Sequence, residues 1–278
     1  MPELPEVETI KRIIEPQIIG QKIAGVDIRN GQVIAHLASE QFVEFLEGRT
    51  FTSMSRRGKF LSFHLDNDDE LVLHLRMTGQ LFVTPEDYPL EKHTHVIIHL
   101  EDGRQIRYID VRRFGRFWYL KAGEADIVTG RNKLGPEPWD PAFTANYLQT
   151  KLGKKKKPIK EMLHDQSVVA GIGNIYSDEI LFVSGIYPET KCCELTEPAW
   201  QVLAEKIPEI LKWGIKTNAM SPEEYLAGKG KEYRNTPDLR AYGREGKPCV
   251  NCGADMERIT ICGRSSCYCP VCQKKRDC

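Results

Sequence analysis

"LGPEPWDP" (134–141) divides the chain into two textures. Three prolines and a glycine in eight residues fix φ, remove backbone donors and break any regular ladder, so the stretch reads as a linker. On its N-terminal side the hydrophobic pattern is that of strands. "KFLSFHL" (59–65), "LVLHLRM" (71–77), "HVIIHL" (95–100) and "RQIRYI" (104–109) are short, rich in β-branched and aromatic residues, and separated by "DNDD" and "EDG" turn signals. The Asp-Gly at 102–103 suits a tight hairpin. On the C-terminal side the period becomes helical, over about 142–152, 158–169, 174–184 and 198–213, with Pro208 expected to kink the last. Val7, Ile10, Ile13 and Ile14 add a first helix ended by Pro16 and Gly20, and Phe42, Phe45 and Leu46 a short one between Ser39 and Gly48. The expected fold class is α+β and multidomain: an antiparallel β-sandwich with an N-terminal helix, then a helical domain and a cysteine module. The expected divisions are 1–133, a linker and helical start at 134–150, 151–241, and 242–278. Residues 218–241 have weak periodicity and read as a mobile loop.

The composition, 41% hydrophobic and 28% charged over 278 residues, excludes a disordered chain. No apolar run approaches the roughly 20 residues of a membrane span, and the N-terminus lacks a basic-then-apolar signal pattern, so a cytosolic protein without membrane partners is expected. Net charge is zero, but residues 229–278 carry 11 Lys/Arg against 6 Asp/Glu. "KLGKKKKPIK" (151–160), "RRGK" (56–59) and "RRFGR" (112–116) are further basic clusters, which suit either a polyanion bound on a defined face or ordinary solvated charge.

Seven of the nine cysteines follow position 248, which favours metal over disulfides. "CVNC" (249–252) and "CPVC" (269–272) are two CxxC knuckles, and Cys249, Cys252, Cys269 and Cys272 complete a closed tetrahedral shell for one structural Zn2+. Cys262 and Cys267 lie between them as competing candidates. The site would brace the intervening residues as a hairpin with Arg264 at its tip. In "VVAGIGNIYSDEIL" (168–181) Gly171 and Gly173 allow close backbone approach, and Asn174 is placed to cap the following helix; an anion site and a plain helix connection are both open. "HLRMTG" (74–79) and "DVRRFGRF" (110–117) hold Met, Arg and Phe near strand ends, as core and rim residues or as wedges that enter a duplex.

The chain opens "MPELPEVETI". Pro5 suits the first turn of a helix, but Pro2 lies too far out for that role. Position 2 is small enough for removal of Met1, and a free α-amine, with a pKa of about 7.7–8.0, is partly neutral at pH 7.

"MPELPEVE", "RRGKFL", "HLRMTG", "DVRRFG", "LGPEP", "DQSVVAGIGNIYSDEILF", "YGREGKPC" and "GRSSCYCPVCQ", in this order, closely resemble the formamidopyrimidine-DNA glycosylases of the Fpg/Nei family. The resemblance spans nearly the whole chain. It implies a bifunctional base-excision repair enzyme with a β-sandwich, a helix-two-turn-helix domain and a zinc finger, acting as a monomer on double-stranded DNA that contains a damaged base. It makes the Pro2 amine the nucleophile, forming a Schiff base at C1′ before β- and δ-elimination, with Glu3 carrying protons. Glu6 is divided between orienting the site and starting the helix. The resemblance also gives Lys59, His74, Asn174, Tyr242 and Arg264 as contacts to phosphates around a flipped nucleotide, Lys59 being grouped with the catalytic residues. Met77, Arg112 and Phe114 would fill the vacated stack, with Arg112 facing the orphaned base.

Two stretches depart from the family pattern. "TNAMSPEEYLAGKGKEYRNTPDLRA" (217–241) replaces a threonine- and glycine-rich run that covers the flipped purine, and "SSCY" precedes Cys269. The leading substrate class is oxidised purines, 8-oxoguanine and formamidopyrimidines. Nei-type preference for oxidised pyrimidines on the same chemistry, and a non-catalytic damage-binding module, are the alternatives.

Overall fold

The computed structural model describes residues 2–228 and 238–275. Its helices are α1 (Leu4–Ile18), α2 (Ser39–Leu46), α3 (Ala145–Leu152), α4 (Ile159–Leu163), α5 (Asn174–Val183), α6 (Glu197–Thr217) and α7 (Pro222–Ala227). Its strands are β1 (Ile23–Ile28), β2 (Phe51–Arg57), β3 (Phe60–Leu65), β4 (Glu70–His74), β5 (Gly79–Pro85), β6 (Thr94–Leu100), β7 (Arg104–Asp110), β8 (Arg116–Leu120), β9 (Glu257–Ile261) and β10 (Arg264–Tyr268). The chain forms two compact units. Of the described residues, one holds 2–132 and 218–228, the other 133–217 and 238–275.

The first unit contains two four-stranded antiparallel sheets, ordered β1-β6-β7-β5 and β2-β3-β4-β8. Leu61, Phe63, Leu71 and Leu73 of one sheet and Leu81, Val96, Ile98, Ile106 and Tyr108 of the other are buried in a single core. Leu4, Val7, Ile10, Ile14 and Ile18 form the buried stripe of α1 at three- and four-residue spacing. The helix runs two residues past Pro16, where the sequence suggested its end. A proline in the last turn removes one hydrogen bond, and burial of Ile18 offsets that loss.

Residues 218–228, expected with the helical part as a mobile loop, instead pack in this first unit. Ser221 caps α7 in a capping box with Glu224, Pro222 sits in its first turn, and Tyr225 is buried with its ring 5.3 Å from that of Phe82. The remainder of that expected loop, 229–237, lies outside the described residues.

The second unit packs α3, α5 and α6 around Leu148, Tyr176, Ile180, Trp200, Leu203, Ile207 and Leu211. A Cβ at Gly214 would lie 2.5 Å from the Tyr176 ring, so glycine sets how closely α6 approaches α5. α6 continues through Pro208 to Thr217. α4 ends at Leu163, well short of 169, because the Asp165 carboxylate takes the Ser167 backbone N–H (2.9 Å) and hydroxyl (2.7 Å) and turns the chain. β9 and β10 form the C-terminal hairpin.

Candidate functional site

At the start of α1, Glu3 is the N-cap and Glu6 the third helical residue, both almost wholly buried, at 2% and 1% exposure. The Glu3 backbone N–H donates to Glu6 Oε2 at 2.7 Å, one half of a reciprocal capping box. Glu6 Oε1 accepts from Asn218 Nδ2 at 3.2 Å. Pro2, also buried, is joined through its carbonyl to the Glu3 amide nitrogen. Pro5 is one position further into the helix than a first-residue proline.

Lys59 and His74 come together through strand register. Gly58 and Lys59 form the two-residue turn between β2 and β3, and Phe60 pairs with His74 at the end of β4. Both side chains are buried. Burial, with Arg76 and Lys59 as like charges, pushes the imidazole down to about 3 and keeps it neutral. Its Nδ1 accepts the Arg76 backbone N–H at 3.0 Å, so Nε2 carries the proton and is a hydrogen-bond donor.

Met77 lies in the connection from β4 to β5, and Arg112 and Phe114 in that from β7 to β8. Both connections pass from one sheet to the other at the same end, since Gly79 pairs with Asp110 and His74 with Arg116. Met77 is 38% and Phe114 48% exposed, and the Arg112 guanidinium lies 4.7 Å from the Phe114 ring centre. Large apolar side chains held out in solvent beside a guanidinium are apt to enter an apolar stack.

Asp110, which the sequence reading did not single out, holds these loops together. Fully buried, it accepts from the Thr78 hydroxyl, the Tyr108 hydroxyl (3.0 Å), the Arg112 N–H (3.1 Å) and the Gly115 N–H (2.9 Å). Burial alone would raise its carboxyl, but these four donors hold it below the usual carboxylate range. A Cβ at Gly115 would lie 1.8 Å from the Tyr108 hydroxyl, so only glycine fits beside this network. The available signal was an aspartate at a strand end before a turn.

In the second unit Asn174 is the first residue of α5, not its cap; Gly173 occupies the cap position. Gly171 has φ +98°, a conformation that glycine takes freely. The Asn174 Oδ1 is buried with no hydrogen-bond partner among the described residues, an open polar group at a helix N-terminus. Glu179 of α5 accepts the backbone N–H groups of Arg240 (3.0 Å), Ala241 (2.9 Å) and Tyr242 (2.9 Å), which fixes the backbone at Tyr242. Its neighbour Asp178 accepts from Lys160 Nζ (2.6 Å), the Ser266 hydroxyl (2.7 Å) and the Cys267 N–H (3.1 Å), and Lys160 also donates to the Ser265 carbonyl at 2.8 Å. Burial pushes the Asp178 carboxyl up, and the ammonium beside it pulls the other way. Asp178 thus seats on α5 the hairpin whose exposed turn leads into Arg264, and Glu179 seats the segment at Tyr242 that precedes it.

Cys249, Cys252, Cys269 and Cys272 bring their sulfur atoms within 4.8 Å of one another, with 3.9 Å between Cys249 and Cys272 and 3.5 Å between Cys252 and Cys269. A tetrahedral zinc with Zn–S of about 2.3 Å needs sulfur separations of about 3.8 Å, so the donor set fits such an ion. The Asn251 and Cys272 N–H groups each reach a ligand sulfur at 3.4 Å. Cys262 and Cys267 lie outside the cluster: the first donates its thiol to Glu161 and the second is held through its backbone by Asp178. No helix among the described residues is long and apolar enough to cross a membrane.

A sequence model for the formamidopyrimidine-DNA glycosylase N-terminal domain matches residues 1–117, and one for the formamidopyrimidine-DNA glycosylase H2TH domain matches 134–224. The chain is 43% identical over 277 residues to the formamidopyrimidine-DNA glycosylase of Desulforamulus reducens, covering 99% of this chain and 100% of that protein. It is similar to the crystal structure of Lactococcus lactis Fpg (MutM) with FAPY-dG containing DNA. There the TM-score is 0.90 and the identity 37%, over 98% of this chain and 100% of that one. A structure of MutM with carbocyclic 8-oxo-G containing DNA matches at TM-score 0.89 and 36% identity, over 99% and 100% of the two chains.

Proposed function

The chain belongs to the formamidopyrimidine-DNA glycosylase family, and from that membership we propose that it is a bifunctional base-excision repair enzyme, cutting DNA at oxidised purines with Pro2 as nucleophile. The observation that carries the reading is the N-terminal turn: Pro2 followed at once by the buried Glu3–Glu6 box. Once Met1 is removed, the Pro2 nitrogen attacks C1′ as the glycosidic bond breaks, and the base leaves with a proton. Opening of the sugar ring, with Glu3 donating to its oxygen, gives a cationic iminium. That iminium is an electron sink. Loss of a proton from C2′ expels the 3′ phosphate and a second elimination expels the 5′ phosphate. A secondary amine suits this role because its iminium has no N–H to lose and stays charged, and as an α-amine it has a pKa more than about two units below that of lysine.

Neutral His74 would donate Nε2–H to a phosphate oxygen, with Lys59 beside it as a point charge. Asn174, Tyr242 and Arg264 would hold further phosphates. Met77, Arg112 and Phe114 would replace the extruded nucleotide in the stack, Arg112 toward the orphaned base. The four thiolates would hold a structural Zn2+, which braces the hairpin and supplies no chemistry. The solved relatives bound to FAPY-dG and 8-oxo-G DNA support oxidised purines as the substrate class.

Borohydride trapping on duplexes bearing 8-oxoguanine, formamidopyrimidine, oxidised pyrimidines or an abasic site tests the reading. A covalent adduct with the purine lesions is expected, and none with Pro2→Gly. Absence of any adduct removes the nucleophile assignment; an adduct confined to oxidised pyrimidines replaces the substrate class.

A further inference from the structure

The stretch 217–241, where the chain leaves the family pattern, includes Asn218, whose side chain reaches Glu6 in the N-terminal turn. We propose that Asn218 is a positioning residue for the Schiff-base chemistry, acting on Pro2 through Glu6 and Glu3. This role rests on the proposed nucleophile.

Asn218 is 1% exposed, and its carboxamide donates to Glu6 Oε1 at 3.2 Å. The other oxygen of Glu6 takes the Glu3 N–H at 2.7 Å, and that nitrogen forms the peptide bond with Pro2. Carboxamide, carboxylate and peptide thus make a relay that ends one residue from the reacting nitrogen. A carboxylate on a flexible side chain can cap a helix from more than one rotamer; a donor on each oxygen selects one, and with it the plane of the Pro2–Glu3 peptide.

The relay needs a fixed far end, and the fold supplies one. Three residues on, Ser221 opens α7 with a capping box, Tyr225 is buried against Phe82, and Met220 and Leu226 pack on the sandwich core. The segment beginning at Asn218 is therefore tied to the same sheets that carry α1. Asn218 supplies a donor that neither a glycine nor a threonine could place in the same way. It makes its contact with a residue 212 positions earlier in the chain, so the sequence reading had no access to it.

A double-mutant cycle in the full-length protein, read by the single-turnover rate of borohydride trapping on a duplex with a preformed abasic site, tests this. Asn218→Ala is expected to slow trapping about tenfold to a hundredfold, the scale of a small misplacement of reacting groups. Its Kd for a tetrahydrofuran-containing duplex should stay within about twofold. In a Glu6→Ala background the same change is expected to have no further effect, because the relay is already broken. A purely structural role would leave the losses additive or move Kd and thermal stability instead, and either result overturns the proposal, as does an unchanged rate. If Asn218→Ala does not fold, Asn218→Gly serves the same cycle. Wild-type protein that traps nothing removes the nucleophile itself and this role with it, whereas trapping that is insensitive to position 218 removes only the role.

Discussion

Asp110 in the first unit and the Asp178–Glu179 pair in the second each fix the backbone of a segment that carries side chains proposed to contact DNA. They do so under different conditions. Asp110 sits where two sheets meet, so neutral donors surround it: two hydroxyls and two backbone N–H groups satisfy a fully buried carboxylate without any cation. Asp178 serves a two-stranded hairpin whose own buried cluster is small, with Phe182, Ala241, Cys249, Met256 and Cys269 at its centre. There the structure adds an ammonium, Lys160, and a four-cysteine cluster. A large core supplies donors as a by-product of its strands; a small one draws on charge and on a thiol cluster that fits a metal.

Metal removal is the largest perturbation of this contrast, since a structural zinc contributes on the order of 10 kcal/mol to folding its module. Chelation should abolish amide exchange protection across residues 249–273, measured by mass spectrometry, and leave β3, β4, β6 and β7 protected. Equal loss in both regions would break the distinction. Next, Asp178→Ala strands the Lys160 ammonium in a site 1% exposed and should cost about 3–5 kcal/mol by denaturant unfolding. The double variant with Lys160→Met should recover much of that. At Asp110 the loss is smaller: Asp110→Asn places an amide donor against existing donors, and about 2 kcal/mol is expected.

The first unit should also weaken in acid. The unfolded chain binds a proton at position 74 near pH 6.5, whereas the folded chain takes it up only near 3, so stability is fully present above 6.5 and falls as pH drops through that window. Asp110, held low in the fold, acts in the same direction at lower pH. His74→Gln should flatten the thermal-melt dependence between pH 6.5 and about 3. The smallest effect belongs to Arg264→Ala, which should reduce the slope of log affinity against log salt for lesion DNA by about 0.9, one phosphate contact, without altering the fold. An unchanged slope would remove Arg264 from the DNA contacts.

Within the two four-stranded sheets the strands read from sequence were β3, β4, β6 and β7, all central; the four missed, β1, β2, β5 and β8, are all edges. Central strands bury both faces and appear as continuous apolar runs, whereas β1 and β2 bury roughly one residue in three and show no clean alternation. α7 was missed for another reason. "SPEE" carries both a capping box and a first-turn proline, but the surrounding glycine-rich, weakly periodic stretch obscured them.

By itself the sequence determined what is local in the chain: the linker at 134–141, the two CxxC knuckles, the glycine turn before Asn174, and a proline at position 2 followed by acids. Tertiary structure alone decided that Lys59 stands beside His74, that Met77 and Arg112 share one end of the sandwich, and that Asp110 ties their two loops together, while Asp178 holds the hairpin that carries Arg264 and Asn218 reaches Glu6. The physical reason is range. Capping, turn and knuckle chemistry is completed within a few residues and leaves a pattern that can be read. A buried carboxylate is defined by donors that arrive from strands and loops 32, 88 or 212 positions away.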